Sequence, residues 1–95
     1  MNDVQLTGQL ICATTEQAEL VANLLPQHIA LTRAEPGCLS FEVAPTENPL
    51  VWSVNERFEN ELAFQLHQER VTASRWGRET SGIAREYTIE GLSGQ

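Results

Sequence analysis

The side chains of this sequence best suited to moving a proton near neutral pH are His67 and Glu56. Imidazole exchanges a proton close to physiological pH without an unusual environment. His67 follows Glu61-Leu62-Ala63-Phe64-Gln65-Leu66, a helical pattern that sets the ring beside apolar residues. Glu56 shares one face of a predicted strand with Trp52, Val54 and Phe58, because strand side chains alternate. A carboxylate on that apolar face needs a partner or a raised pKa, since an unpaired buried charge is costly. Pairing with His67 would satisfy the carboxylate and orient the imidazole; a structural ion pair with an Arg is the equal alternative. His28 lies in the first predicted helix and matches no motif. Asn55 and Arg57 face away from Glu56, so Arg57 reads as structural.

Phe41, Trp52, Phe64, Trp76 and Tyr87 are the rings able to wall a pocket for a flat molecule, although each is first a core candidate in so small a domain. Trp76 falls near the end of the second helical region, where a flexible cover over a cavity could form. Other chemistries have no matching pattern. The chain has no Gly-rich phosphate loop, no Gly-x-Ser-x-Gly turn and no Cys-x-x-Cys, and its two His are far apart. Flavin, nicotinamide, nucleotide and metal are therefore not expected.

These residues must be positioned by 95 residues, enough for one domain spanning 1–95, with a core over 4–90 and a polar tail over 91–95. A domain of this size buries roughly 60 to 65% of the surface its unfolded chain exposes. Thirteen acids against six Arg and no Lys give a net charge of −7, without a basic cluster. Nucleic acid is not expected as a partner, because phosphate binding needs concentrated positive charge. No apolar run is long enough to span a bilayer, so no membrane association is expected and a cytoplasmic location is. Cys12 and Cys38 lack metal-ligand spacing and read as packing thiols in strands.

Val4 to Ala13 alternates as a strand, with Val4, Leu6, Gly8, Leu10 and Cys12 on one side. Thr14 and Gln17 offer a capping box for a helix over Thr15 to Arg33. Its apolar stripe is expected through Ala18, Val21, Ala22, Leu25 and Ile29, widened by Leu20, Leu24 and Leu31, with a bend near Pro26. Pro36-Gly37 ends that helix. Cys38 to Ala44 and Leu50 to Phe58 are predicted as an antiparallel hairpin around the loop Pro45-Thr46-Glu47-Asn48-Pro49. Asn60 caps a second helical region that continues or restarts through Val71, Ala73 and Trp76, and Ile83 to Glu90 is a fourth strand. The order β-α-β-β-α-β is that of a ferredoxin-like α+β fold with an antiparallel sheet.

Three pieces in order, Glu35-Pro36-Gly37-Cys38-Leu39, Glu56-Arg57-Phe58 at a strand end, and His67 on the next helix, resemble the antibiotic biosynthesis monooxygenase family, including its small quinol monooxygenases. The resemblance spans about residues 4 to 90. It implies that the unit pairs through its sheets as a homodimer, a dimeric α/β barrel, with a pocket between sheet and helices in each subunit. It also implies a cofactor-independent monooxygenase that oxidises a small hydroxylated aromatic, a quinol or polyphenol, with O2. His67 would accept the phenolic proton, Glu56 would orient His67, and Trp52, Phe41, Phe64 and Trp76 would hold the ring. The chain departs from relatives that carry an Asn on the first strand, where it has Gln5, Thr7 and Gln9, and it presents Arg75-Trp76-Gly77 where haem-degrading relatives place their haem ligand. Two other readings use the same residues: an isomerase shuttling a proton on a small carbonyl compound, and a dimeric binding module with no reaction.

Overall fold

A computed structural model describes residues 3–92, so the last three residues of the expected polar tail lie outside the described residues. The elements are β1 (Val4–Ile11), α1 (Thr15–Arg33), β2 (Cys38–Pro45), β3 (Val51–Phe58), α2 (Glu61–Ala73), α3 (Arg75–Glu79) and β4 (Ala84–Glu90). The strands form one antiparallel sheet in the order β2-β3-β1-β4. This is the ferredoxin-like β-α-β-β-α-β arrangement, with its second helical region restarting at Ser74. Among the described residues no helix is long and apolar enough to cross a membrane.

The alternation of β1 buries Val4, Leu6 and Leu10, and Cys12 just beyond the strand, while Val54 and Phe58 do the same from β3. Val21, Leu24 and Leu25 of α1, Phe64 of α2 and Trp76 of α3 close over that face. Glu56 is on this inner face, paired in register with Leu6 of β1 and Phe41 of β2. Arg57 points the other way, where its Nε donates to Asp3 at 3.0 Å in an exposed pair.

Local signals account for the ends of α1. The Thr14 hydroxyl accepts from the Gln17 backbone N–H at 3.1 Å, while the Gln17 side chain accepts from Ala13 at 2.7 Å. Pro26 lies inside the helix, which continues to Arg33. The buried stripe differs from the expected one. It runs Val21, Leu24, Leu25, His28 and Thr32, while Ala22 is exposed and Leu31 is 46% exposed. The helix is rotated so that two polar residues face inward, where they meet partners from α2 and α3 rather than aliphatic core.

After α1 the chain turns sharply. The Gly37 carbonyl accepts from Glu59 at 2.8 Å, which pins the turn against the end of β3. Gly37 has φ of +90°, and a Cβ there would lie 2.6 Å from the Cβ of Ala63. Only glycine suits both the backbone angle and the space. Gly37→Ala is expected to lower stability by about 1 to 3 kcal/mol, read as a reduced urea midpoint with an unchanged slope.

Candidate active site

The site begins with the start of α2, where the Asn60 side chain accepts from the Ala63 N–H at 2.8 Å and fixes the helix register. That register buries Ala63, Phe64 and His67 against the sheet. His67 is only 3% exposed, and its ring lies 4.8 Å from that of Phe58 and 5.9 Å from that of Phe41. Its Nδ1 is 2.8 Å from a carboxylate oxygen of Glu35. Because a carboxylate accepts, Nδ1 carries the proton and Nε2 presents its lone pair on the other side of the ring. There, 3.7 Å away, lies the carboxyl of Glu56. That separation is too long for a direct hydrogen bond.

Glu35 holds this arrangement together. It sits in the turn after α1, and its second oxygen accepts from the Arg70 guanidinium. Arg70 also donates through Nη2 to the Thr32 hydroxyl at 2.9 Å. Thr32, Arg70, Glu35 and His67 thus form one chain of contacts joining the end of α1 to α2. Glu35 is a site residue that reading by periodicity misses. The available signal is an acid just past a helix C-terminus, where the helix dipole disfavours negative charge and a cationic partner is called for.

Burial, followed by the negative charge of Glu35, pushes the Glu56 carboxyl up to about 7, against the opposing charge of Arg85. Burial lowers the pKa of His67, although its hydrogen bond to Glu35 works in the other direction. Near neutral pH the site therefore sets a carboxyl able to hold a proton beside an imidazole lone pair able to take one. With the carboxyl raised to about 7 and the imidazole lowered from 6.5, the usual order of the two groups is reversed, so the carboxyl can serve as the acid and the imidazole as the base in the same turnover.

Both groups border a cavity of about 60 Å³. Leu6, Leu10, Val43 and Val54 supply its sheet side, and Phe41, Trp76 and Tyr87 its aromatic walls. Arg85 also borders it, with its guanidinium donating to the carbonyls of Thr80 and Ile83 at 2.8 and 2.9 Å. Of the four rings expected to hold a substrate, Phe41 and Trp76 are on the cavity wall. Phe64 packs edge-on to Phe58 at 5.7 Å, and Trp52 sits further along β3 opposite Leu10 and Pro45; neither borders the cavity.

His28 joins them on the wall. Its ring stacks on Trp76 with centroids 4.4 Å apart and planes 5° from parallel. Burial, then the charges of His67, Arg70 and Arg85, pushes its pKa down to about 3, which keeps it neutral. Its Nδ1 is buried without a hydrogen-bond partner among the described residues. The sequence signal was its place at helical spacing from Val21, Leu24 and Leu25. Among the described residues no cluster of three or more His, Cys, Asp or Glu could hold a metal ion.

Comparison with known proteins gives a consistent picture. Residues 10–78 match the family model described as antibiotic biosynthesis monooxygenase. No curated protein matches. A conserved protein from Methanosarcina mazei Go1 superposes with a TM-score of 0.75 at 21% identity, covering 98% of this chain and 95% of that one. Rv0793 from Mycobacterium tuberculosis gives 0.73 at 17% identity, covering 98% and 97%. A candidate antibiotic biosynthesis monooxygenase from Deinococcus radiodurans gives 0.73 at 21% identity, covering 97% and 94%. At these identities the structural likenesses establish the shared fold.

The raised pKa of Glu56 has a consequence for stability. A folded-state value above the ordinary 4.5 means the folded protein holds this proton more tightly than the unfolded chain does. The stability from this group is fully present below about pH 4.5 and is lost as pH rises through about 7. The lowered values of His28 and His67 act in the opposite sense, but do so in wild type and in Glu56→Gln alike. Between about pH 5 and about pH 8 the variant should therefore gain roughly 2 to 3 kcal/mol relative to wild type, measured by urea unfolding at both pH values.

Proposed function

Since the chain belongs to the antibiotic biosynthesis monooxygenase family, we propose that it oxidises a small hydroxylated aromatic, a quinol or polyphenol, with O2 and without a cofactor. The observation that carries this reading is the imidazole of His67, held through Nδ1 by Glu35 and presenting Nε2 towards Glu56 beside an aromatic-walled cavity. Nε2 would accept the phenolic proton, and Glu56 would take up or return it. The resulting phenolate is electron-rich enough to reduce O2 itself. One oxygen atom is added to a ring carbon and the other leaves as water with two of the substrate's hydrogens, so no external reductant is needed. Phe41 and Trp76 would hold the ring, and the apolar sheet side would limit water at the reacting carbon.

The partner we propose is a second copy of this chain. Outward-facing residues such as Thr7, Gln9, Ser53 and Asn55 are exposed on a sheet face that carries no helix, and two such faces packed together would complete a dimeric α/β barrel. Light scattering should then give twice the 10.6 kDa chain mass. A cytoplasmic location fits the two free cysteines.

Oxygen uptake with a panel of quinols and hydroxynaphthalenes tests the reaction. His67→Ala should lower kcat by about 10²- to 10⁴-fold, and Glu35→Gln by a smaller factor, since it leaves the imidazole in place but loosens its tautomer. Turnover that proceeds equally well under argon would replace oxygenation with isomerisation.

A further inference from the structure

A second, outer cavity of about 190 Å³, lined in part by the exposed Leu31 and Arg75, shares His28 and Trp76 with the first. The stacked pair of rings is therefore common to the walls of both cavities. Trp76 is carried by the five-residue helix α3, which begins where α2 breaks at Ser74. Among the described residues His28 makes no hydrogen bond through Nδ1 that would lock its ring in place.

The outer cavity differs in character from the rest of the molecule. Leu24, Leu31 and Trp76 give it apolar walls, and the charged residues that border it are Arg70 and Arg75, with no acid among its lining. Both Arg are paired with acids that lie outside that lining, Arg70 with Glu35 and Arg75 with Glu79. Arg70 is immobilised by Glu35 and Thr32, yet its Nη1 is buried without a partner among the described residues. A charged donor left unsatisfied is unfavourable, and an anionic oxygen would correct it with a charge-assisted hydrogen bond. Arg75 is exposed and is paired with Glu79 one turn away, which leaves it able to turn towards a ligand.

We propose that the outer cavity is a subsite for an acidic arm of the substrate: the hydroxylated ring lies against Glu56 and His67, and a short chain passes the His28–Trp76 stack to place a carboxylate at Arg70 and Arg75. This rests on the reading of the inner cavity as the ring site. It adds that the preferred substrate is an aryl carboxylic acid and not a bare quinol. Trp76 then acts as the movable wall that admits the arm.

Anaerobic calorimetry separates this from the oxygenation chemistry, because binding is read without turnover. The probes are naphthohydroquinone and naphthohydroquinone-propionate. Wild type should bind the propionate about tenfold more tightly. Leu31→Glu, at an exposed position on the wall of the outer cavity, should abolish that preference while leaving naphthohydroquinone affinity unchanged; Arg75→Gln should reduce it severalfold. Equal binding of the two probes by wild type, no binding of either, or a preference that survives Leu31→Glu would overturn the proposal. A propionate preference with no oxygen uptake would uphold the subsite and remove the monooxygenase reading; uptake without the preference would do the reverse.

Discussion

The arrangement depends on one shared carboxylate. Glu35 accepts from His67 with one oxygen and from Arg70 with the other, and so converts two helical side chains three residues apart into a fixed pair. Without it, His67 would be a buried imidazole with either nitrogen free to carry the proton, and Arg70 would be a cation held only by Thr32. The same contact is a tertiary clamp. It joins the turn after α1 to the face of α2 over a separation of 32 residues between Glu35 and His67. Partly buried ion pairs of this kind add little net stability over an apolar replacement. Their effect here is to fix the direction in which one nitrogen points.

A small one-layered sheet makes this economy necessary. The inner face must supply the core and the cavity from the same few strand positions, so Glu56 takes a place that an aliphatic residue would fill in a purely structural sheet. Its burial is tolerated because the carboxyl can keep its proton. The helices make the same concession, with His28 and Thr32 in the stripe of α1 and His67 in that of α2.

Much of the fold is legible because its signals are local. The ends of α1 follow from Thr14, Gln17 and the Pro36-Gly37 turn, and the strands follow from period-two alternation, to within one or two residues at their ends. The inward facing of Glu56 and the place of His67 beside Phe64 are also readable, but whether Glu56 meets His67 or an Arg is left open until the packed helix brings the imidazole within 3.7 Å. What is hidden is long-range. Glu35 looks like a surface acid until α2 brings Arg70 and His67 to it. The rotation of α1 is hidden as well, since aliphatic residues alone favour a stripe through Ala22 and Ile29, whereas the observed one is favoured by the stacking of His28 on Trp76 and the contact of Thr32 with Arg70, both partners coming from distant helices. Trp52 and Phe64 show the converse: a ring on the right face can still lie beyond the reach of the cavity.

The placement of Glu35 two residues before Gly37 merges two roles in one short turn. Gly37 shapes the exit from α1 and receives the end of β3, while Glu35 orients the imidazole, so the backbone that closes the topology also aims the base. The site therefore has no existence apart from the complete chain tracing. Its parts come from a turn, a strand and a helix that meet only when the sheet is fully paired, and any state that has formed its helices but not that closure has the residues of the site without its geometry.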